Sequence, residues 1–585
     1  MTYAAPVEEM AATLKAAAGL ERAVADGLYG DLTVEDVTAV LEEAARFAGD
    51  VIAPLNRPGD AAGTPLENGV VTLPAAHREA YKAWAEAGWN ALPGPEEFGG
   101  QGLPLVVSVA CTEMWNAASM AFSLGPLLTI GAVEALEKHG SDELKERYLA
   151  KLVSGEWMGT MNLTEPQAGS DLAALRAKAE RAGDGTYLIT GTKIFITYGE
   201  HDLTDNIVHL VLARLPDAPA GTRGISLFLV PKILPDGSRN DLRCSGIEHK
   251  LGIHGSPTCT MSYGDDGGAT GWLIGEENRG LACMFTMMNN ARLNVGIQGV
   301  AIAERAYQGA LAYAKERRQG RAPGASGPGM SPIIEHPDIR RMLLTMKAQT
   351  AASRAICYRT AAALDRARLA GDPAERERAA AQGALLTPVA KAYSTDIGVE
   401  VASLGIQVHG GMGFIEETGA AQHLRDSRIA PIYEGTNGIQ AIDLVTRKLP
   451  LAGGEAVRAE IASMRATVRA LMNKGEVFGM TAARLRDAVE SLDRATSFLQ
   501  RALAGNDPTA ALAGATPYLR LFGLASGGTL LAEIALAAGA DEAGAARIAL
   551  CRFFAENIAV GAAGLEASVV DGGGFAVDAA LALAS

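Results

Sequence analysis

Apolar and polar positions recur with two different periods along this chain. Up to about residue 160 the apolar residues return at helical spacing, as in Val34–Phe47, where Thr33 stands ready as an N-cap. A further helix is expected near residues 142–149, and the Gly- and Pro-rich stretch 93–104 reads as a long loop. Near Met158 the pattern changes. Residues 186–190, 193–197, 206–212 and 224–230 are short runs rich in β-branched and aromatic residues, with turn signals at Gly183-Asp-Gly185 and Pro235-Asp-Gly237. No helical crossovers separate runs so closely spaced, which predicts an antiparallel sheet rather than a doubly wound one.

Helical periodicity returns at Leu281. One long helix is predicted over 284–318, ending at Gly320, and two more over 339–370 and 374–404, with a flexible loop at 321–330. Pro450-Leu-Ala-Gly-Gly454 is a linker by composition, and 455–585 is Ala-rich and helical with no motif to which chemistry can be assigned. The fold class predicted is mainly α with a central antiparallel β domain. Its units are a helical domain over 1–160, a β domain over 161–280, a helical bundle over 281–450 and a helical extension over 451–585. No internal repeat at a fixed period is present.

Composition narrows the partners. A formal charge of −15 argues against nucleic acid and anionic membranes, which need clustered Lys and Arg. Six cysteines lie at 111, 244, 259, 283, 357 and 551 without a C-x-x-C pair, which is neither a disulfide framework nor a zinc site. The acidic start of the chain lacks a signal pattern, and no run of about twenty apolar residues predicts a transmembrane helix. A cytoplasmic protein is expected.

Four stretches carry candidate chemistry. In Ala430-Pro-Ile-Tyr-Glu-Gly-Thr-Asn-Gly-Ile-Gln440, the carboxylate of Glu434 lies between an apolar pair and Gly435. Thr436 is placed to cap a helix with Ile439, Ile442, Val445 and Leu449 on one face and an Asp443–Arg447 pair beside it. A carboxylate at such a junction is costly to ionise, so its pKa should rise toward that of a general base. The same residue can equally be a first-turn acid favouring the helix dipole. Met161-Asn-Leu-Thr-Glu-Pro-Gln-Ala-Gly-Ser-Asp-Leu172 offers hydroxyls and close backbone approach to a cofactor, or else is a turn capped by Ser170 or Asp171. Lys193-Ile-Phe-Ile-Thr-Tyr-Gly199 is an ordinary strand with a single hydroxyl at Thr197. Gln407-Val-His-Gly-Gly-Met-Gly-Phe414 is a glycine-rich stretch able to admit phosphate, but it is not the dinucleotide fingerprint, and its His409 reads as a packing residue.

Taken in order, Glu165-Pro, Ala168-Gly-Ser-Asp171, Lys193-x-Phe-Ile-Thr197, Glu316-Arg317, Gln407-x-x-Gly-Gly411 and Tyr433-Glu-Gly-Thr436 resemble the flavin-dependent acyl-CoA dehydrogenases over residues 35–450. The extension resembles the longer branch of that family. The resemblance implies a helical N-terminal domain, a β-barrel middle domain and a four-helix-bundle C-terminal domain, with FAD as cofactor. It implies Glu434 as the base that removes the α-proton of an acyl-CoA thioester. The Glu434 N–H and a ribityl hydroxyl of the flavin would stabilise the enolate, while a hydride leaves Cβ for flavin N5. Leu163 and Thr164 match positions along the flavin ring, Thr197 the hydroxyl near N5, and Phe195 an aromatic wall where many members carry Trp. Ser170 matches a contact to flavin or pantetheine. Arg317, Gln407 and Gly411 match contacts to the pyrophosphate and adenine half from a neighbouring subunit. Arg292, Tyr433 and Gly435 match the substrate side and Thr436 the flavin side. Ala291 stands where some members place their base. After Arg317 the chain continues Arg318-Gln-Gly-Arg321, where the family often has Lys-Thr-Phe-Gly.

The resemblance also implies an electron-transfer flavoprotein as acceptor and a homodimer or larger homo-oligomer. Chain length, branching and a thioether in the acyl group all stay open. The alternatives are an acyl-CoA oxidase, which shares the base and flavin, and a flavin-bearing nucleic-acid binder, which the net charge disfavours.

Overall fold

The computed structural model describes residues 3–326, 328–505 and 508–572; the end of the expected extension, 573–585, and residue 327 of the expected loop lie outside them. Helix α1 (Val34–Phe47) opens with a reciprocal cap. Thr33 accepts the Asp36 N–H at 3.1 Å, and the Asp36 carboxylate accepts the Thr33 N–H at 2.9 Å. Helix α2 (Leu105–His139) is apolar nearly all round and correspondingly buried, and it breaks at Ser119, whose φ −158° and ψ 103° are not helical. Helix α3 (Asp142–Ser154) is capped by Ser141 and closed by Gly155 at φ 80°.

Eight strands form one sheet: β1 (Met158–Asn162), β2 (Lys178–Arg181), β3 (Tyr187–Thr197), β4 (Ile207–Ala213), β5 (Ser226–Pro231), β6 (Leu242–Ile247), β7 (Thr258–Tyr263) and β8 (Ala269–Ile274). Their order is β1-β4-β5-β8-β3-β7-β6, with β2 on β3. Two expectations are corrected here. The sheet is not wholly antiparallel, because β1 pairs β4 in parallel, Met158 opposite Ile207 through Asn162 opposite Val211. The runs 186–190 and 193–197 are a single strand, whose register against β7 shifts between Lys193 and Ile196 around Phe195 at φ 60°. β1 has little β propensity. It is a strand because all five residues are buried.

Three long helices follow, α4 (Gly280–Glu316), α5 (Pro337–Leu369) and α6 (Pro373–His409), then the short α7 (Ala420–Ser427) and α8 (Asn437–Asp443). α6 runs on to His409, so Gln407 sits in its last turn rather than in a loop. α4 and α6 cross in backbone contact. A Cβ on Gly299 would lie 2.3 Å from the Ser394 carbonyl oxygen, and one on Gly296 would lie 2.6 Å from that of Ala390. A buried charge cluster ties α2, α4 and α5: Arg354 donates to Glu113 at 2.6 Å and to Glu304 at 2.9 Å, and Tyr358 donates to Glu113 at 2.8 Å.

The extension comprises α9 (Glu455–Met472), α10 (Thr481–Ala504), α11 (Ala515–Leu536), α12 (Glu542–Phe553) and α13 (Ala562–Val570), and α11 packs on α5, α6 and α8. The expectation that no segment is long and apolar enough to cross a membrane is also corrected. Leu105–His139, Ala515–Leu536 and Glu542–Val570 are each long and apolar enough; the first two are largely buried within the fold and the third much less so. Interspersed Ser, Thr and Gly residues kept these helices from forming continuous apolar runs in the sequence.

Candidate active site

The loop before α8 turns sharply at Glu434, whose φ of 54° lies in the left-handed region, and again at Gly435 at φ 85°. A non-glycine residue in that conformation persists only where its surroundings hold it. Thr436 caps α8 by accepting the Ile439 N–H at 3.3 Å, as its place in the motif predicts. The Asp443–Arg447 pair also forms. The predicted apolar face holds only in its second half: Val445 and Leu449 are buried, but Ile439 and Ile442 are exposed, while Gln440, Ala441 and Leu444 are buried. A π-helical turn over Leu444–Lys448 adds a residue to the spiral and rotates the face.

Glu434 is half-buried, and burial pushes its carboxyl above the ordinary range while the charges of Arg292 on α4 and Lys391 on α6 pull it back. Arg292 is buried, its Nε has no hydrogen-bond partner, and it faces both Asp443 and Glu434. The Tyr433 hydroxyl donates to Gln298 of α4. Lys391 is fully buried. Its Nζ donates to the Gly435 carbonyl at 2.8 Å and to Asn437 Oδ1 at 2.9 Å, and burial lowers its pKa to about 7. Neither Lys391 nor Asn437 was singled out from the sequence. The available signal was a solitary lysine in the apolar run Val389-Ala-Lys-Ala-Tyr393.

A second cluster lies at the end of β1. The Leu163 carbonyl accepts Lys193 Nζ at 3.1 Å, and the Thr164 carbonyl accepts the Ile194 N–H at 2.9 Å. Lys193 is fully buried and pairs with Glu165 at 2.9 Å. Burial raises the Glu165 pKa, yet Lys193 and the Arg176 and Ala177 N–H groups outweigh it and hold the carboxylate low. Phe195 is 57% exposed beside this stitched segment, and Thr197 is half-buried opposite Thr258. Asp171, not Ser170, caps the short turn at Leu172–Ala174, which leaves Ser170 exposed. An exposed aromatic face, two backbone-pinned residues and a nearby hydroxyl fit the edge and face of a flavin ring.

A small cavity of about 10 Å³ is lined by Leu127, Leu128 and Gly131 of α2, Met161 of β1, and Met287, Asn290, Ala291 and Asn294 of α4, the last two flanking Arg292 in sequence. A larger cavity, about 360 Å³, lies against the other side of α8, between Asn437, Asp396 and Ala441 and the extension's Leu519 and Arg520. Arg317, Gln407 and Gly411 are not brought to either cluster. They are exposed at the C-terminal ends of α4 and α6, where Tyr313 stacks on His409 at 4.6 Å. His409 also binds the Gly405 carbonyl at 2.7 Å, as a packing histidine should.

Models of the acyl-CoA dehydrogenase N-terminal, middle and C-terminal domains match residues 34–156, 160–265 and 278–449, and an acetyl-CoA dehydrogenase C-terminal-like model matches 458–580. The chain is 49% identical to the 3-methylmercaptopropionyl-CoA dehydrogenase of Ruegeria pomeroyi across 99% of its own length and 100% of that protein's. The chain belongs to the acyl-CoA dehydrogenase family. This acyl-CoA dehydrogenase is also 37% identical to a butyryl-CoA dehydrogenase of Syntrophomonas wolfei, over 91% and 90% of the two chains. A solved acyl-CoA dehydrogenase from Bacillus anthracis, complexed with FAD, shares the fold at a TM-score of 0.75 and 22% identity, over 93% of this chain and 89% of that one. FAD is the cofactor of the family, and the extension falls within it as well.

Proposed function

We propose that this dehydrogenase oxidises a short-chain acyl-CoA to its trans-2-enoyl-CoA, with Glu434 as the base. The observation that carries the reading is a carboxylate held in left-handed backbone and kept above its ordinary pKa by burial, with the charges of Arg292 and Lys391 facing it. The Glu434 carboxylate takes the Cα proton, and the Cα–H electron pair becomes the new C=C bond. FAD, when bound, supplies the acceptor for the hydride that leaves Cβ. The Glu434 N–H, which has no acceptor among the described residues, is available to the thioester oxygen as enolate charge develops. Leu163, Thr164, Phe195 and Thr197 would hold the flavin ring. Ser170, Arg292, Tyr433 and Gly435 would position the thioester, with Thr436 fixing the turn. With substrate in place, these residues would order the two reacting carbons.

The relatives named for butyryl-CoA and 3-methylmercaptopropionyl-CoA support a short acyl group. Arg317, Gln407 and Gly411 suit the pyrophosphate and adenine half of FAD in a neighbouring copy, so the working form is a homodimer or larger homo-oligomer in the cytoplasm. An electron-transfer flavoprotein is the acceptor that the family resemblance implies. The test is anaerobic titration of the holoenzyme with butyryl-CoA and 3-methylmercaptopropionyl-CoA, following loss of flavin absorbance. Wild type should bleach, and Glu434→Gln should keep FAD while losing at least roughly a thousandfold in reduction rate. Ordinary bleaching by Glu434→Gln would refute the assignment of the base.

A further inference from the structure

Lys391 stands at the centre of a network that reaches the base from behind. Its Nζ donates to the Gly435 carbonyl at 2.8 Å, the peptide that follows Glu434, and to Asn437 Oδ1 at 2.9 Å. Asn437 in turn donates to the Asp396 carboxylate at 2.7 Å, to the Thr395 hydroxyl at 3.0 Å and to the Ala392 carbonyl at 3.1 Å. The loop that carries a left-handed Glu434 is therefore fastened to α6 immediately after its turn, at Gly435 and Asn437. An ammonium group is an expensive choice for this task, since it is wholly buried and Thr or Asn could donate as well. What the ammonium adds is charge beside the base.

We infer that Lys391 is a positioning residue for Glu434, fixing the turn at Gly435 and holding a charge near the base. The inference rests on Glu434 being the base, as proposed above. The groups that face Lys391 are Glu434 on the loop, Asp396 on its own helix and Arg292 on α4; Arg520 of α11 faces Asp396 from the extension. Glu434 and Asp396 favour the charged amine, while burial and Arg292 oppose it, and the balance leaves it titrating at about 7. Below that pH the ammonium lowers the Glu434 pKa. Removing it must move the Glu434 pKa up, so the acid limb of the rate profile must move to higher pH.

The experiment measures flavin reduction by butyryl-CoA against pH in stopped flow, using full-length holoenzyme carrying Lys391→Met, Lys391→Arg or Asn437→Ala. Lys391→Met should retain FAD, lose roughly tenfold to a hundredfold in limiting rate, and show an acid limb shifted upward, with a smaller change in substrate affinity. Lys391→Arg restores the charge and should return the limb toward the wild-type position. Asn437→Ala loosens the loop but keeps the charge, so it should lower the rate with the limb nearly in place. A folded Lys391→Met with wild-type rate and limb would overturn the inference, as would a wild-type rate in Asn437→Ala if the Lys391 variants fail to fold. Wild type that bleaches with no acyl-CoA, or Glu434→Gln that bleaches normally, would instead sink the functional reading.

Discussion

Side chains far apart in sequence carry the charges that decide this site, and each carboxylate has a buried lysine among the charges that tune it, with Arg292 acting on Glu434 as well. Glu434 answers to Lys391 and Glu165 to Lys193. Lys193 is fully buried, so removing it leaves Glu165 a buried, uncompensated charge, an event that costs about 3–5 kcal/mol in comparable pairs. The Lys193→Met protein should therefore show a depressed thermal midpoint and weakened flavin retention, because Leu163 loses its anchor as well. Glu165→Gln should be milder, since Lys193 already titrates at about 8 and can shed its proton. Equal stability of Lys193→Met and wild type would show that the pair does not hold the segment. The turn and cap around Glu434 were legible because neighbours in sequence form them. Lys391 was not, because its two partners lie 44 and 46 residues further along.

Among the elements, the helices were legible wherever the apolar period ran unbroken, as in α1 and α5, whereas β1 was hidden because burial rather than propensity makes it a strand. The face of α8 was misjudged because one π-helical turn is invisible to a 3.6-residue period. The proposed acyl specificity is tested at the same scale. A Cβ on Gly131 of α2 would lie 2.8 Å from Met287 Cγ and 3.0 Å from its Cε, so the methionine of α4 fills the place of a missing side chain. Both residues line the small cavity. Met287→Ala should deepen it and move the preference toward longer chains, by roughly tenfold in the ratio of hexanoyl- to butyryl-CoA kcat/KM. Gly131→Ala should press Met287 into the cavity and move the ratio the other way. Two shifts in the same direction, or none, would remove these residues from chain-length control.

For the whole molecule the question is reach. Helical rise places Gln407 about 24 Å along α6 from Lys391, and Arg317 about 37 Å along α4 from Arg292. Those exposed residues stand too far from Glu434 to act on a phosphate bound beside it in the same chain, which is why a second copy is proposed. The exposed apolar tip Met412, Phe414 and Ile415 next to Gly411 fits a surface that another chain covers. The arrangement makes a strict prediction for mixed oligomers. A subunit carrying Glu434→Gln still has Arg317, and one carrying Arg317→Ala still has Glu434, so neither pure variant turns over normally. If each site takes its base from one chain and its arginine from the other, a mixed dimer contains one site with both groups intact. Random re-association of equal amounts in saturating FAD should then recover about a quarter of wild-type activity, half the dimers being mixed and one of two sites competent in each. If both groups serve the same chain, every site in every dimer keeps a defect, and mixing recovers nothing.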